Sequence, residues 1–420
     1  MYNTIKKLCG DVTLPGDKSI SHRLLMVGAL INNTSDIYNL SDCEDVLMTI
    51  KCLRACNVEI KFIDDGNIKI HGGNLQSPSE NLNCQNSGTT VRLLVGLLAG
   101  QGISADFTGD ESLLNRPMKR IIEPLKKMGL KINSNNNYLP FSIEKSSLNP
   151  IDYKTVTKSA QVKSALLFAS LGCDQYSTIS YDPETRDHTE KLLKYLDCEI
   201  SIGDQISIRR SRINKGFSLT VPGDISSAGF LIAGAILLPG SKIRIKNVLY
   251  NETRLKFIFL LKKMNANISI KDISSSKFEK SCTIVASYSP NLKSAQIDSK
   301  SAIGMIDEIP ILSIIATQCA GKTVFNGLGE LKHKESDRAM LIYKNLKNMG
   351  ADISYFDNSI VINGKNKLYN TSIIHENDHR IAMSFEILHL LLNNKVSHQY
   401  NDVVSISFPD FYSTIESIMQ

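Results

Sequence analysis

The chain has 420 residues, 42% hydrophobic and 21% charged, and its 48 basic against 42 acidic residues give a net charge of +6. Such a balance fits a soluble globular protein of two domains, or of one domain with many repeats, and is too mild for a nucleic-acid-binding signature. It suits a protein with anionic ligands. Nine scattered cysteines form no Cys-x-x-Cys pair, which argues for reduced, mostly buried thiols and against a structural zinc site. The longest apolar run, Ala228 to Leu238, is too short to span a bilayer. Met1 to Lys7 hold no apolar stretch of a signal peptide, so a cytoplasmic location is expected.

The first informative segment is Pro15-Gly16-Asp17-Lys18-Ser19-Ile20-Ser21-His22-Arg23, followed at once by the apolar run Leu24 to Leu30. A turn, a lysine, two small hydroxyls and an arginine precede a helix, with Ser19 or Ser21 as the expected N-cap. Helix N-termini bind anions through free backbone N–H groups. Asn86-Ser87-Gly88-Thr89-Thr90-Val91-Arg92 opens a second apolar helix, and its small residues let a ligand approach the backbone. In Gly109-Asp110-Glu111-Ser112-Leu113-Leu114-Asn115-Arg116-Pro117, an arginine stands just before a proline expected to start a helix. Ser159-Ala160-Gln161 opens a third apolar helix, where Ser159 and Gln161 could bond a polyhydroxylated ligand or cap the helix. Thr185-Arg186-Asp187-His188-Thr189-Glu190 reads as a capped helix start; His188 suggests an acid or base, but the capping-box fit of Asp187 and Glu190 favours a structural role.

Pro222-Gly223-Asp224-Ile225-Ser226-Ser227-Ala228 echoes the opening motif 207 residues later, with Ile225 in place of Lys18. Three charged segments then abut apolar or amphipathic helices: Ile306-Asp307-Glu308-Ile309-Pro310, Lys332-His333-Lys334-Glu335-Ser336-Asp337-Arg338 and Asn377-Asp378-His379-Arg380. Charge runs are ordinarily solvated faces. Here Lys18, Arg23, Arg92, Arg116, Lys334, Arg338 and Arg380 all stand at helix N-termini, the end that disfavours cations. Bound anions would offset them, and seven such placements point to ligands with several anionic groups.

A period also runs through the chain. Five segments pass from an amphipathic helix through a tight turn into a β-like run, with turns at Asn57, Gly129, Asp197, Asn265 and Gly350. Each turn residue tolerates the left-handed conformation of a helix C-cap. A unit of about 70 residues follows, roughly six to the chain and three to each half.

The segments PGDKSISHR, NSGTTVRLL, GDESLLNRPM, SAQVKSALL, ETRDHTE, VPGDISSA, IDEIP, KHKESDR and NDHRIAM, in this order from Leu14 to Phe411, resemble the 5-enolpyruvylshikimate-3-phosphate synthase family. The resemblance implies an α/β (α+β) fold of two similar domains. Each would have three βαβαββ-type units around a pseudo-threefold axis, an inverse α/β barrel, with the active site in the interdomain cleft. The expected domains are residues 1–14 plus 222–420, and residues 15–221. The implied reaction transfers the enolpyruvyl group of phosphoenolpyruvate to the 5-hydroxyl of shikimate 3-phosphate and releases phosphate. By the same resemblance Lys18, Ser19, Arg23, Ser159, Ala160, Gln161, Asp307 and Lys334 hold shikimate 3-phosphate. Lys18, Asn86, Gly88, Arg116, Gln161, Arg338 and Arg380 hold phosphoenolpyruvate. Asp307, Glu335, Lys18 and Lys334 are the catalytic candidates: Asp307 as base at the hydroxyl, Glu335 or Lys334 as acid at the methylene carbon. No metal or organic cofactor is implied, and the expected protein is a monomer with small-molecule substrates and neither nucleic-acid nor membrane partners.

The chain departs from the family pattern in places. Ser405-Ile406-Ser407-Phe408-Pro409 lacks a lysine that some members carry there, His333 replaces a common valine, and Asn377 a frequent glycine. Glyphosate inhibits family members in the phosphoenolpyruvate site. Gly88 stands where alanine is associated with tolerance, so sensitivity is expected. The rival readings are the sister enolpyruvyl transferase acting on UDP-N-acetylglucosamine and a non-catalytic binder of phosphometabolites or RNA. The first uses a cysteine on a mobile Gly-rich, basic loop, and no cysteine here has that setting. The second gives no reason for Asp307 or Glu335.

Overall fold

The computed structural model describes residues 6–155, 159–393 and 395–420. Residues 1–5 of the expected first segment, and residues 156–158 just before Ser159, lie outside the described residues. The chain divides into two units. One comprises Met1–Leu14, Pro222–Ser276 and Lys280–Gln420; the other comprises Pro15–Val221 with Lys277–Glu279.

Among the described residues there are five four-stranded sheets of one topology, three in the Pro15–Val221 unit and two in the other. One repeat shows the pattern. Strand Leu82–Asn83 leads through helix Gly88–Gly100 to strand Ala105–Thr108, then through helix Lys119–Lys127 to strands Lys131–Ser134 and Phe141–Glu144. The first two strands pair in parallel and the rest antiparallel, with Phe141–Glu144 between Ala105–Thr108 and Lys131–Ser134. The five helix-turn-strand signatures fall one to a sheet. Their turn residues have the left-handed φ expected: Asn57 67°, Gly129 94°, Asp197 57°, Asn265 68° and Gly350 89°. The remaining segment carries helices His379–Asn393, Asn401–Val404 and Phe411–Ile418, with a single bridge, Leu8 to Met419.

The helices that follow the motifs are buried nearly all round, because their sequences are apolar on every face. In the Pro15–Val221 unit these are Lys18–Leu30, Gly88–Gly100 and Ala160–Ser170, with the second packed on the other two. In the other unit, Ile225–Leu237, Ile309–Gln318 and His379–Asn393 pack pairwise. Their N-termini are where the chemistry-bearing residues sit. The amphipathic helices, Lys119–Lys127 among them, bury one side only. All nine cysteines are free thiols, and all but Cys9 are buried. No described helix is long and apolar enough to cross a membrane.

Candidate functional site

In the Pro15–Val221 unit, the cap of the first helix is Asp17 rather than Ser19 or Ser21: its carboxylate accepts the Ile20 N–H at 3.0 Å. Asp17 precedes the first helical residue, whereas both serines already lie inside the helix. Ser19 is thereby released for another contact, and its hydroxyl accepts Arg186 Nη1 at 3.0 Å. Lys18 Nζ donates to Asp45 Oδ2 at 2.8 Å. Arg23, 2% exposed, is held on three sides: Nε by Thr189 Oγ1 at 2.7 Å, Nη1 by Ser19 O at 2.8 Å and Nη2 by Ser164 Oγ at 2.9 Å. Burial pushes its pKa down to about 10, and Glu190 works against that shift.

Gly88 begins the second helix, with Ser87 as the cap. A Cβ at Gly88 would meet Arg92 Nη1 at 2.8 Å and Arg116 Nη1 at 3.3 Å, so two guanidiniums flank bare backbone. Gln161 Oε1 accepts Arg92 Nη1 at 2.9 Å, and Gln161 Nε2 donates to Thr89 Oγ1 at 3.0 Å. Asn86 Oδ1 accepts Arg116 Nη2 at 2.7 Å, while Asn86 Nδ2 donates to Asp110 Oδ2 at 3.0 Å. Gln161 and Asn86 are neutral acceptors; they orient the two arginines without cancelling charge.

Two local expectations need correction here, and the capping alternative for Ser159 falls away. Pro117 does not start a helix, which begins at Lys119 after Met118; Arg116 sits in the preceding turn and donates its N–H to Leu113 O at 3.1 Å. Ser159 stands at the N-cap of its helix, next to Ala160, but makes no side-chain cap bond. Asp187 makes none either, its carboxylate lying 3.0 Å from Lys191 Nζ, and Glu190 pairs with buried Lys163 at 2.5 Å. An acid with a buried cation in reach gains more there than from an N–H cap. His188 is fully buried, with Nδ1 2.7 Å from Glu279 Oε1. Asp187, His188 and Glu279 place ligand atoms within 4.8 Å of one another, a grouping a metal ion could use. Lys191 Nζ lies 3.0 Å from Asp187 and 3.8 Å from Glu279, so an ammonium already compensates these carboxylates.

In the other unit Arg338, 1% exposed, is the hub. It donates from Nε to Asp378 Oδ2 at 2.7 Å, from Nη1 to Asp307 Oδ1 at 3.2 Å, and from Nη2 to Glu335 Oε2. Burial alone would lower its pKa, but Asp378, Glu335 and Asp307 outweigh burial and hold it above the ordinary arginine value. Lys334 Nζ donates to Asp307 Oδ1 at 3.1 Å, and Arg380 Nη1 to Asp307 O at 3.3 Å. Asp307, 8% exposed, thus meets three cations. Asp378 Oδ1 also accepts Arg380 N–H at 2.9 Å at the start of the last long helix. Asn377 adopts φ 57°, a left-handed value glycine or asparagine accepts.

In one unit Asn86, Gly88, Arg116 and Gln161 gather around the Gly88 helix start and Ser19 lies against Arg23; in the other Asp307, Lys334, Glu335, Arg338 and Arg380 form one cluster. Sequence reasoning passed over Asp45, Arg186 and Asp378. Asp45 looks like any acidic first-turn residue of a helix, and Arg186 was masked by the capping-box pattern. Asp378 could have been found as the residue that precedes a helix.

The fold is one that enolpyruvyl transferases use. The enolpyruvyl transferase NikO from Streptomyces tendae matches 99% of this chain and 96% of its own with a TM-score of 0.75, at 12% identity a likeness of fold alone. The family model for EPSP synthase (3-phosphoshikimate 1-carboxyvinyltransferase) matches residues 2–415, and the chain belongs to that family of transferases. Among its relatives are 3-phosphoshikimate 1-carboxyvinyltransferases from Thermodesulfovibrio yellowstonii, 40% identical over 99% of this chain and 98% of the relative, and from Desulforamulus reducens, 38% identical over 100% and 99%. An EPSP synthase structure from Acinetobacter baumannii superposes with a TM-score of 0.86 at 34% identity, covering 99% of this chain and 98% of that one.

Proposed function

We propose that this chain transfers the enolpyruvyl group of phosphoenolpyruvate to the 5-hydroxyl of shikimate 3-phosphate, with release of phosphate through a tetrahedral intermediate. The observation that carries the proposal is the pair of charge clusters: Lys18, Arg23 and Arg92 in the first two turns of helices of one unit, with Arg116 in a turn beside Gly88, and Asp307 within reach of Lys334, Arg338 and Arg380 in the other. Two polyanionic substrates repel one another, and fixed cations lower that barrier before chemistry begins.

In this proposal Lys18, Ser19, Arg23, Ser159, Ala160 and Gln161 hold shikimate 3-phosphate, together with Asp307 and Lys334 of the other unit. Lys18, Asn86, Gly88, Arg116 and Gln161 hold phosphoenolpyruvate together with Arg338 and Arg380. Asp307 takes the proton of the 5-hydroxyl, and Glu335 or Lys334 delivers one to the methylene carbon. Attack of the oxygen on C2 gives the tetrahedral intermediate. Proton moves in the reverse sense then expel phosphate and restore the double bond. Phosphoenolpyruvate carries its own leaving group, so the residues need supply only protons and charge. The protein acts as a cytoplasmic monomer on small molecules, with neither nucleic acid nor membrane as partner.

The test is acceptor choice. Purified chain given phosphoenolpyruvate should release phosphate with shikimate 3-phosphate and form a product that retains the acceptor's phosphate by mass. Phosphate release with UDP-N-acetylglucosamine in its place, and none with shikimate 3-phosphate, would contradict the assignment.

A further inference from the structure

A chain of buried hydroxyls joins three helices in the Pro15–Val221 unit and ends on a histidine that the chemistry above does not use. His22 Nδ1 lies 2.7 Å from Thr49 Oγ1, Thr49 Oγ1 lies 2.7 Å from Thr90 Oγ1, and Thr90 Oγ1 lies 2.7 Å from Ser87 Oγ. Thr90 Oγ1 also donates to the Asp45 carbonyl at 3.2 Å. His22, Thr49, Ser87 and Thr90 are all fully buried. Ser87 Oγ in turn accepts the Thr90 N–H at 3.2 Å and caps the Gly88–Gly100 helix.

The directions of these bonds follow from counting protons. A carbonyl only accepts, so the one Thr90 proton goes to Asp45 O. Thr49 and Ser87 must then donate to Thr90, and the Thr49 proton is spent. His22 therefore donates from Nδ1, and its Nε2 is the bare acceptor nitrogen. The opposite tautomer would bury an N–H at Nε2, an atom with no hydrogen-bond partner, and an unpaired buried donor is costly. Burial, partly countered by Asp45, also lowers the His22 pKa to about 3 and keeps the ring neutral.

From Thr90 this chain reaches residues assigned to substrate in two directions. Asp45, whose carbonyl receives Thr90, holds Lys18 through its carboxylate at 2.8 Å. Ser87 lies between Asn86 and Gly88. Building on the proposed function, we infer that Thr49, with His22 and Thr90, is a positioning residue. It sets Lys18 and the Asn86–Gly88 turn in register for phosphoenolpyruvate and touches neither substrate. Satisfied buried networks of this kind rigidify the elements they join.

The experiment compares wild type, Thr49→Val, which keeps the shape and loses the hydroxyl, and Thr49→Ser, which keeps the hydroxyl. Ser177→Ala serves as control, since it removes another buried hydroxyl of the same unit, the acceptor of Ile151 N–H. Thr49→Val should raise KM for phosphoenolpyruvate about tenfold, as small misplacements of binding groups do. KM for shikimate 3-phosphate, which Lys18 also holds, should rise by a smaller factor, and Thr49→Ser should restore both constants. Nitrogen-15 NMR of histidine-labelled wild type should show His22 protonated at Nδ1. A Thr49→Val enzyme with both constants unchanged, or shifted only as in Ser177→Ala, would overturn the inference, as would a proton at His22 Nε2. A wild type that does not turn over would instead defeat the functional assignment and the inference with it.

Discussion

At the scale of single residues, charge buried near the site is balanced by specific partners, and removing one partner exposes the rest. Arg338→Met would leave Asp378, Glu335 and Asp307 without their shared guanidinium. Such a loss costs roughly 3–5 kcal/mol, so the urea midpoint should fall sharply; an unchanged midpoint would contradict the balance described. His22 gives a pH dependence. Its folded-state pKa is about 3 against an ordinary 6.5, so below pH 6.5 the unfolded chain takes up a proton that the folded chain refuses. That stability is complete above pH 6.5 and is lost as pH falls toward 3. Denaturation at pH 7 and pH 5 should therefore show a larger drop for wild type than for His22→Gln, and equal drops would count against it. At Gly88 a methyl group would press on the Arg92 and Arg116 guanidiniums. Gly88→Ala should then weaken glyphosate inhibition by roughly tenfold or more, the value of one methyl in a tight pocket, while wild type stays sensitive. Equal inhibition constants would refute this. Lys18, Arg23, Arg92, Arg338 and Arg380 were legible in the sequence because they stand at the wrong end of helices for their charge; Arg116 and Lys334, expected there too, lie instead in a turn and at the end of a short 3-10 helix. The partners of the buried charges were not legible. Glu190 reads as part of a capping box, and only the fold brings Lys163, distant from it in sequence, within 2.5 Å.

At the scale of elements, the repeat was legible because helix ends need residues that accept a left-handed backbone, and those residues are few. All five turns read from the sequence carry positive φ and lead into an edge strand of a sheet. The remaining segment has no such turn in the sequence, and it forms no four-stranded sheet among the described residues. Asn265, with φ 68°, offers a direct check. Asn265→Gly should be neutral or slightly stabilising, and Asn265→Val should cost about 1–2 kcal/mol in chemical denaturation. Equal stabilities for the two variants would show that the turn does not fix the helix end. Helix caps were less legible than turns. Several small polar residues compete for each cap, and the winner depends on what else is in reach: Asp17 displaces Ser19 and Ser21 because it directly precedes the helix, while Glu190 abandons its cap for a buried lysine.

At the scale of the whole molecule, the chain of 420 residues has a net charge of +6, and most of the cations proposed to hold substrate stand in the first two turns of helices. Charge placed this way acts on small anions over short range and is screened by salt. The motif echo at Pro222 shares the turn, the serines and the apolar helix with the opening motif, but has Ile225 and Phe230 where that motif has Lys18 and Arg23. The scaffold is therefore common to both units, and function lies in the residues that differ. The central claim is that Asp307, gathered with Lys334, Arg338 and Arg380, drives transfer between two anionic substrates. The most direct measurement is phosphate release from phosphoenolpyruvate and shikimate 3-phosphate by wild type and by Asp307→Ala at matched folding. The account predicts release by wild type and its near-complete loss in the variant. No release by wild type, or full activity in Asp307→Ala, would contradict it.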